Sequence, residues 1–274
     1  MSALAPSTLD LEPTSAPTRS APSVPTSGER IGTVAIDRRL NGPRRSANGG
    51  FAAGSIAPHI DAETTTVVLH RPIPLGRELP VVADGTGGGL VFDRRRLLAR
   101  ARPGRLVDAA VPAAPTYDEA LAARSRYPLA GVRHALADCV VCGTQRVDGM
   151  HVTPGPLAGG TRLAAPWSVD TRVAHAGVAD YPAVWGALDC PSYPAHALDL
   201  RILCLLGTIT GRVERRPRVG EHLVIHSWTR AQHGRRYETS VAMVDERGGV
   251  VARADATWIA LRHPRATALI ARLG

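Results

Sequence analysis

Short apolar runs separated by polar, glycine-bearing turns dominate the chain from about residue 30 onward. Alternation at period two predicts strands near 31–37, 64–71, 77–84, 89–95 and 96–102. A run of small residues at about 50–60 predicts a helix between the first two of these. The same order returns further on. Strands are expected near 149–153 and 161–167, then a helix over about 182–200, in which Pro191 and Pro194 impose a kink or an early end. Strands at about 201–215, 221–231, 236–246 and 249–261 follow. The last pair is the best signalled, because Asp245-Glu246-Arg247-Gly248-Gly249 is a polar turn between two apolar stretches. Several strands after one helix imply an antiparallel sheet wrapped around that helix, an α+β arrangement.

The two series share more than their order. After the strand at 64–71 comes Arg71-Pro72, then Gly76, then a new strand; after the strand at 201–215 comes Arg216-Pro217, then Gly220, then a new strand. Leu97-Leu98-Ala99-Arg100-Ala101 resembles Val250-Val251-Ala252-Arg253-Ala254, again in register. The chain therefore reads as an internal repeat. Its first copy is expected over 29–105 and its second over 148–274. Residues 106–147 form the linker, rich in proline and with a short helix at about 117–126. Residues 1–28 are a Pro, Ser, Thr and Ala tract with little to bury, expected to be a disordered tail.

Composition narrows the class. Apolar residues make up 44% of the 274, enough for two cores. The net charge is +9, carried entirely by arginine. A basic surface suits phosphorylated ligands, but only 4% of residues are aromatic and there is no helix-turn-helix spacing, so nucleic acid is not the expected partner. No apolar run reaches the length of a membrane span. The N-terminus begins without a basic region or an apolar stretch, so no signal peptide is expected. Four scattered cysteines argue against a disulfide framework and for a reducing cytoplasm.

Three stretches carry a resemblance. Asn48-Gly49-Gly50-Phe51 looks like the Gly-Gly helix start of hotdog thioesterases. Val184-Trp185-Gly186-Ala187-Leu188-Asp189 resembles the helix of acyl-CoA thioesterase II that carries its catalytic aspartate, and residues 237–261 resemble that family's closing hairpin. Cys139-Val140-Val141-Cys142-Gly143 and Ala165-Pro166-Trp167 also look like an actinobacterial group of thioesterase-like proteins. Over about residues 30–263 the chain thus resembles the acyl-CoA thioesterase superfamily. This implies a double hotdog fold, two antiparallel sheets each around a central helix. It also implies a hydrolase that takes an acyl-CoA-type substrate, needs no cofactor and forms a homo-oligomer. The sequence departs from the pattern at three places. Asn48 replaces a histidine, Ser55 or Ala57 stands where an acid is expected, and Ala256 or Thr257 replaces a glutamine on the last strand.

The resemblance assigns Asp189 as the base or nucleophile and Thr257 as the hydroxyl that holds the attacking water. Gly49 and Gly50 would polarise the carbonyl through free helix N-terminal amides. Asp189 has a plainer alternative, a bond to local backbone near Pro191 and Ser192. Ser240, His222 and His226 are further polar groups on strands, and Arg212, Arg215, Arg216 and Arg218 could meet coenzyme A phosphates. Cys139 and Cys142 are a lone C-x-x-C, and a structural zinc would need Cys190, His134 or His151 to complete it, so no metal is expected. The competing functions are a non-catalytic acyl-thioester scaffold and a hotdog hydratase or dehydratase. The latter would want an Asp/His pair that the helices lack.

Overall fold

The computed structural model describes residues 28–132, 134 and 136–261. The strands are β1 (Arg30–Ala35), β2 (Thr64–Leu69), β3 (Glu78–Ala83), β4 (Gly89–Asp93), β5 (Arg96–Pro103), β6 (Gly155–Pro156), β7 (Arg162–Ser168), β8 (Ala174–His175), β9 (Val178–Ala179), β10 (Cys204–Val213), β11 (His222–His233), β12 (Arg236–Asp245) and β13 (Val250–Ala260). The helices are α1 (Gly49–Ile56), α2 (Tyr117–Ser125), α3 (Tyr181–Asp189) and α4 (Ala195–Asp199). Eleven strands form one antiparallel sheet in the order β1-β3-β4-β5-β2-β10-β13-β12-β11-β7-β6. Read from the middle outward, β2-β5-β4-β3-β1 has the same connectivity as β10-β13-β12-β11-β7. The repeat in the sequence is thus a repeat of topology, within a hotdog-like α+β fold. The halves meet where β2 pairs antiparallel with β10, Thr66 opposite Thr210, and the two threonine hydroxyls share a 2.8 Å hydrogen bond.

The glycines that mark the repeat have a common backbone reason. Gly76 has φ +64° and Gly220 φ +80°, left-handed turns in which a side chain is strained. Each sits in the turn that feeds the next strand, β3 and β11 respectively.

α1 and α3 pack directly on one another, and glycine makes the approach possible. A Cβ added at Gly50 would stand 2.4 Å from the Trp185 carbonyl oxygen, one at Gly54 2.7 Å from Pro182 Cα, and one at Gly186 2.7 Å from the Phe51 ring. The helices therefore touch backbone to backbone, with Phe51, Trp185 and Leu188 filling the space beside the seam, all fully buried. Trp185 reaches the sheet at Gly211, where a Cβ would lie 2.8 Å from its ring.

Several expectations shift in detail. The helix expected over 182–200 ends at Asp189; a 3-10 turn over Cys190–Ser192 and the short α4 follow, as the two prolines require. The strand expected at 149–153 does not form. Met150 and Val152 are buried there, but their N–H groups bond Val140 O and Val141 O at 2.7 and 2.8 Å, and His151 has φ +56°. β6, β8 and β9 are short pairings without a pattern of their own. Residues 106–147 do more than join the halves. α2 lays Ala120 and Ala123 on β7 and β11, and Cys139, Val140 and Val141 are buried in the main core. The expected tail, 1–28, lies outside the described residues but for Gly28, as does the C-terminal part from 262. Among the described residues no helix is long and apolar enough to cross a membrane.

Gly54→Ala should lower unfolding stability by about 1–3 kcal/mol, because an added methyl at that seam meets the Pro182 backbone and the root of the buried Trp185 side chain, neither of which can swing aside. Urea midpoints of the two proteins check this.

Candidate functional site

Asp189 ends α3, and only 3% of it is exposed. Its carboxylate does not bond the local backbone. Oδ2 accepts the N–H of Gly50 at 2.8 Å, at the start of α1 and 139 residues away. α1 carries no acid in its own first turn, so the negative charge favoured at its N-terminus is supplied by the other helix. Asn48 caps the same end, its Oδ1 accepting from Phe51 N–H at 3.0 Å. Local backbone bonding falls instead to the main chain of Asp189. Ser192 Oγ donates to Asp189 O at 2.7 Å, and Trp258 Nε1 donates to that Oγ at 3.1 Å. These two bonds fix the turn that aims the carboxylate.

Asp189 Oδ1 is buried without a hydrogen-bond partner among the described residues. Burial raises the Asp189 pKa to about 7; the Gly50 N–H works against that rise and a neighbouring Cys139 thiolate adds to it. A carboxylate with one tethered and one free oxygen, poised near neutrality, can take a proton from water.

This group lines a cavity of ≈ 540 Å³ between the halves. Leu69, Ile73, Leu136, Leu205, Leu206 and Trp258 make its walls largely apolar, and exposed Arg45, His70 and Arg71 stand among its lining residues. Asn48, Gly49 and Asp189 line it too. Of the expected oxyanion donors, the Gly50 N–H is taken by Asp189, while the Gly49 N–H has no acceptor among the described residues.

Thr257 is not part of this site. On β13 it lies half-buried between Ala256 and Trp258; Trp258 and Ile259 line the cavity, and Thr257 is not among the lining residues. Ser240 donates its hydroxyl to Asp255 at 2.5 Å. Asp255 also accepts the Val107 N–H at 2.6 Å, which straps the connecting segment to the sheet. His222 stacks on Tyr117 with ring centroids 4.9 Å apart, and His226 is buried beside Arg162, 3.2 Å from its Nη2. Neither histidine reaches the cavity. Arg215 is held by Glu221 and Asp245 at 2.6 and 2.9 Å, and Arg216 by the Ala179 carbonyl, in a separate surface turn.

A feature only half visible in the sequence is a thiol cluster. The sulfurs of Cys139, Cys142 and Cys190 all lie within 4.8 Å of one another, and the three residues line the cavity beside Asp189. Asn48 Nδ2 lies 3.7 Å from both Cys139 Sγ and Cys190 Sγ. Hydrogen bonds from its neighbours hold the Cys139 thiol well below its ordinary pKa, and the other two are raised. The C-x-x-C spacing flagged two of the three. The third follows Asp189 directly, but its approach is tertiary.

No protein-family model matches the chain, and no curated protein matches it by sequence. Its fold is similar to solved structures. One is described as a thioesterase from Novosphingobium aromaticivorans (TM-score 0.55, 12% identity, 84% of this chain and 95% of that one). Another is the tesB protein of Mycobacterium avium subs paratuberculosis (TM-score 0.56, 12% identity, 86% and 96%). A third is described as a thioesterase II from Thermobifida fusca (TM-score 0.51, 16% identity, 88% and 100%). The class defined is thus a fold shared, nearly end to end, with structures of that description.

His226 supplies a test of the burial described here. Burial, aided by Arg162, lowers its pKa to about 4. The unfolded chain takes up a proton at about pH 6.5, the folded chain only near 4, so His226 costs stability as pH falls between those values. His226→Gln should remove up to about 3 kcal/mol of that acid-side loss, read as the difference in urea midpoints at pH 7 and pH 4.5.

Proposed function

We propose that this chain is a double hotdog hydrolase of acyl thioesters, with coenzyme A or a similar phosphorylated carrier as the leaving thiol. The observation that carries the reading is the Asp189 carboxylate, buried on an apolar cavity with one oxygen bonded to a helix N-terminus and the other free. An acyl chain would lie along Leu69, Ile73, Leu205 and Leu206, and the phosphates would meet Arg45 and Arg71. The Gly49 N–H, at the positive end of α1, would polarise the thioester carbonyl. Asp189 would take the proton of the attacking water through its free oxygen. The thiolate then leaves and is protonated from solvent.

The scaffold alternative draws on one observation, that Gly50 has spent its amide on Asp189 and leaves a single free donor for an oxyanion. A reducing cytoplasm is the compartment in which the unpaired thiols of Cys139, Cys142, Cys190 and Cys204 persist.

Thiol release from a panel of acyl-CoA esters of increasing chain length tests the reading. Asp189→Asn, which can still accept the Gly50 N–H, should keep the melting temperature within a few degrees and reduce turnover by roughly 100-fold or more. Turnover unchanged in folded Asp189→Asn, or no release from any ester by the wild type, would leave the scaffold reading.

A further inference from the structure

The three thiols and the carboxylate beside them pose a charge problem. Cys139 and Cys142 are buried, Cys190 is largely so, and the buried Asp189 directly precedes Cys190 in the chain. These are four groups able to become anions in one place. No arginine or histidine side chain is hydrogen-bonded to any of them among the described residues. Buried charge of one sign is costly unless it is neutralised or bound to a cation.

The donors around the sulfurs point the same way. Asn48 aims its Nδ2–H₂ between Cys139 Sγ and Cys190 Sγ, while its Oδ1 is held by Phe51 N–H, so the amide cannot turn round. An amide donor shared by two sulfurs suits thiolate, since a neutral thiol is a weak acceptor. The C-x-x-C turn is also sharply closed. Gly143 N–H bonds Cys139 O at 2.9 Å, and a Cβ at Gly143 would lie 2.5 Å from that same oxygen. Cys139 Sγ and Cys190 Sγ are 3.9 Å apart. That is close to the roughly 3.8 Å between two sulfurs that each bind one tetrahedral zinc at about 2.3 Å.

We propose that Cys139, Cys142 and Cys190 bind a single zinc ion through three thiolates, with the fourth coordination position open to the cavity. Three sulfurs select a thiophilic ion over magnesium or calcium. Asn48 is the outer partner that fixes two of the ligands. His134 stays outside the sulfur group, its Nδ1 taken by Leu136 N–H. The opening follows from all three cysteines lining the cavity. A ligand entering the cavity with a soft or anionic donor, such as a free thiol, would meet the ion there. The site welds the C-x-x-C loop to the end of α3. It does not rest on the hydrolase reading.

The full-length protein, purified with a metal-free phosphine reductant and no added metal, should carry about one zinc per chain by elemental mass spectrometry. Exchange for cobalt(II) should give an intense near-ultraviolet sulfur-to-cobalt band and the visible bands of a tetrahedral ion. Cys139→Ser, Cys142→Ser and Cys190→Ser should each lower the bound metal several-fold and abolish the sulfur-to-cobalt band. Cys204→Ser, which alters a cavity cysteine outside the cluster, and Asp189→Asn should both keep them. If a serine variant does not fold, the wild-type stoichiometry and cobalt spectrum decide alone. A chain with no zinc and no sulfur-to-cobalt band on reconstitution overturns the proposal. So does zinc retained by all three serine variants, or a Cys139–Cys190 disulfide in the native protein mapped without reductant.

Discussion

The backbone-to-backbone seam between α1 and α3 is the constraint on which the rest of the structure depends. Gly50, Gly54 and Gly186 remove the side chains that would hold the helices apart. Only at that separation can the carboxylate ending α3 reach the first amides of α1. The bond crosses between the two halves of the sheet, so it aligns the helices lengthwise while the β2–β10 pairing aligns the strands. The small residues thus serve first as spacers. Their closeness to the Asp189 carboxylate is a consequence, since Gly50 spends its amide on the opposite helix.

Most of the fold was legible because it is written at period two and punctuated by residues with a backbone reason. Gly76 and Gly220 hold left-handed turns, and Pro191 ends a helix where a proline must. What failed was of another kind. Met150 and Val152 have the apolar alternation of a strand, but their partners are the loop carbonyls of Val140 and Val141. Thr257 was placed by analogy with a family position, whereas its neighbours Trp258 and Ile259 line the cavity and it does not. Asp189 was singled out by the resemblance of its helix to that of acyl-CoA thioesterase II. Its partner 139 residues away was not, and Cys190 stood only as one of three candidates beside the C-x-x-C, because contacts between distant segments leave no local period.

Electrostatically the cavity floor is the inverse of the surface. The exterior is arginine-rich, and many of those arginines are paired with carboxylates, as Arg77 is with Asp93 and Arg215 with Glu221. The interior gathers a carboxylate and three thiols, with the amide donors of Asn48 and Gly50 as their counterparts among the described residues.

The capping bond has a further meaning for how this chain can change. One half holds the acid and the other holds the helix end that receives it, so the two copies of the repeat no longer back each other up. A substitution in either copy disables a feature the other cannot supply, and neither could be exchanged for a second version of its twin. The two copies thus hold complementary halves of one contact, and a change in either is felt by both.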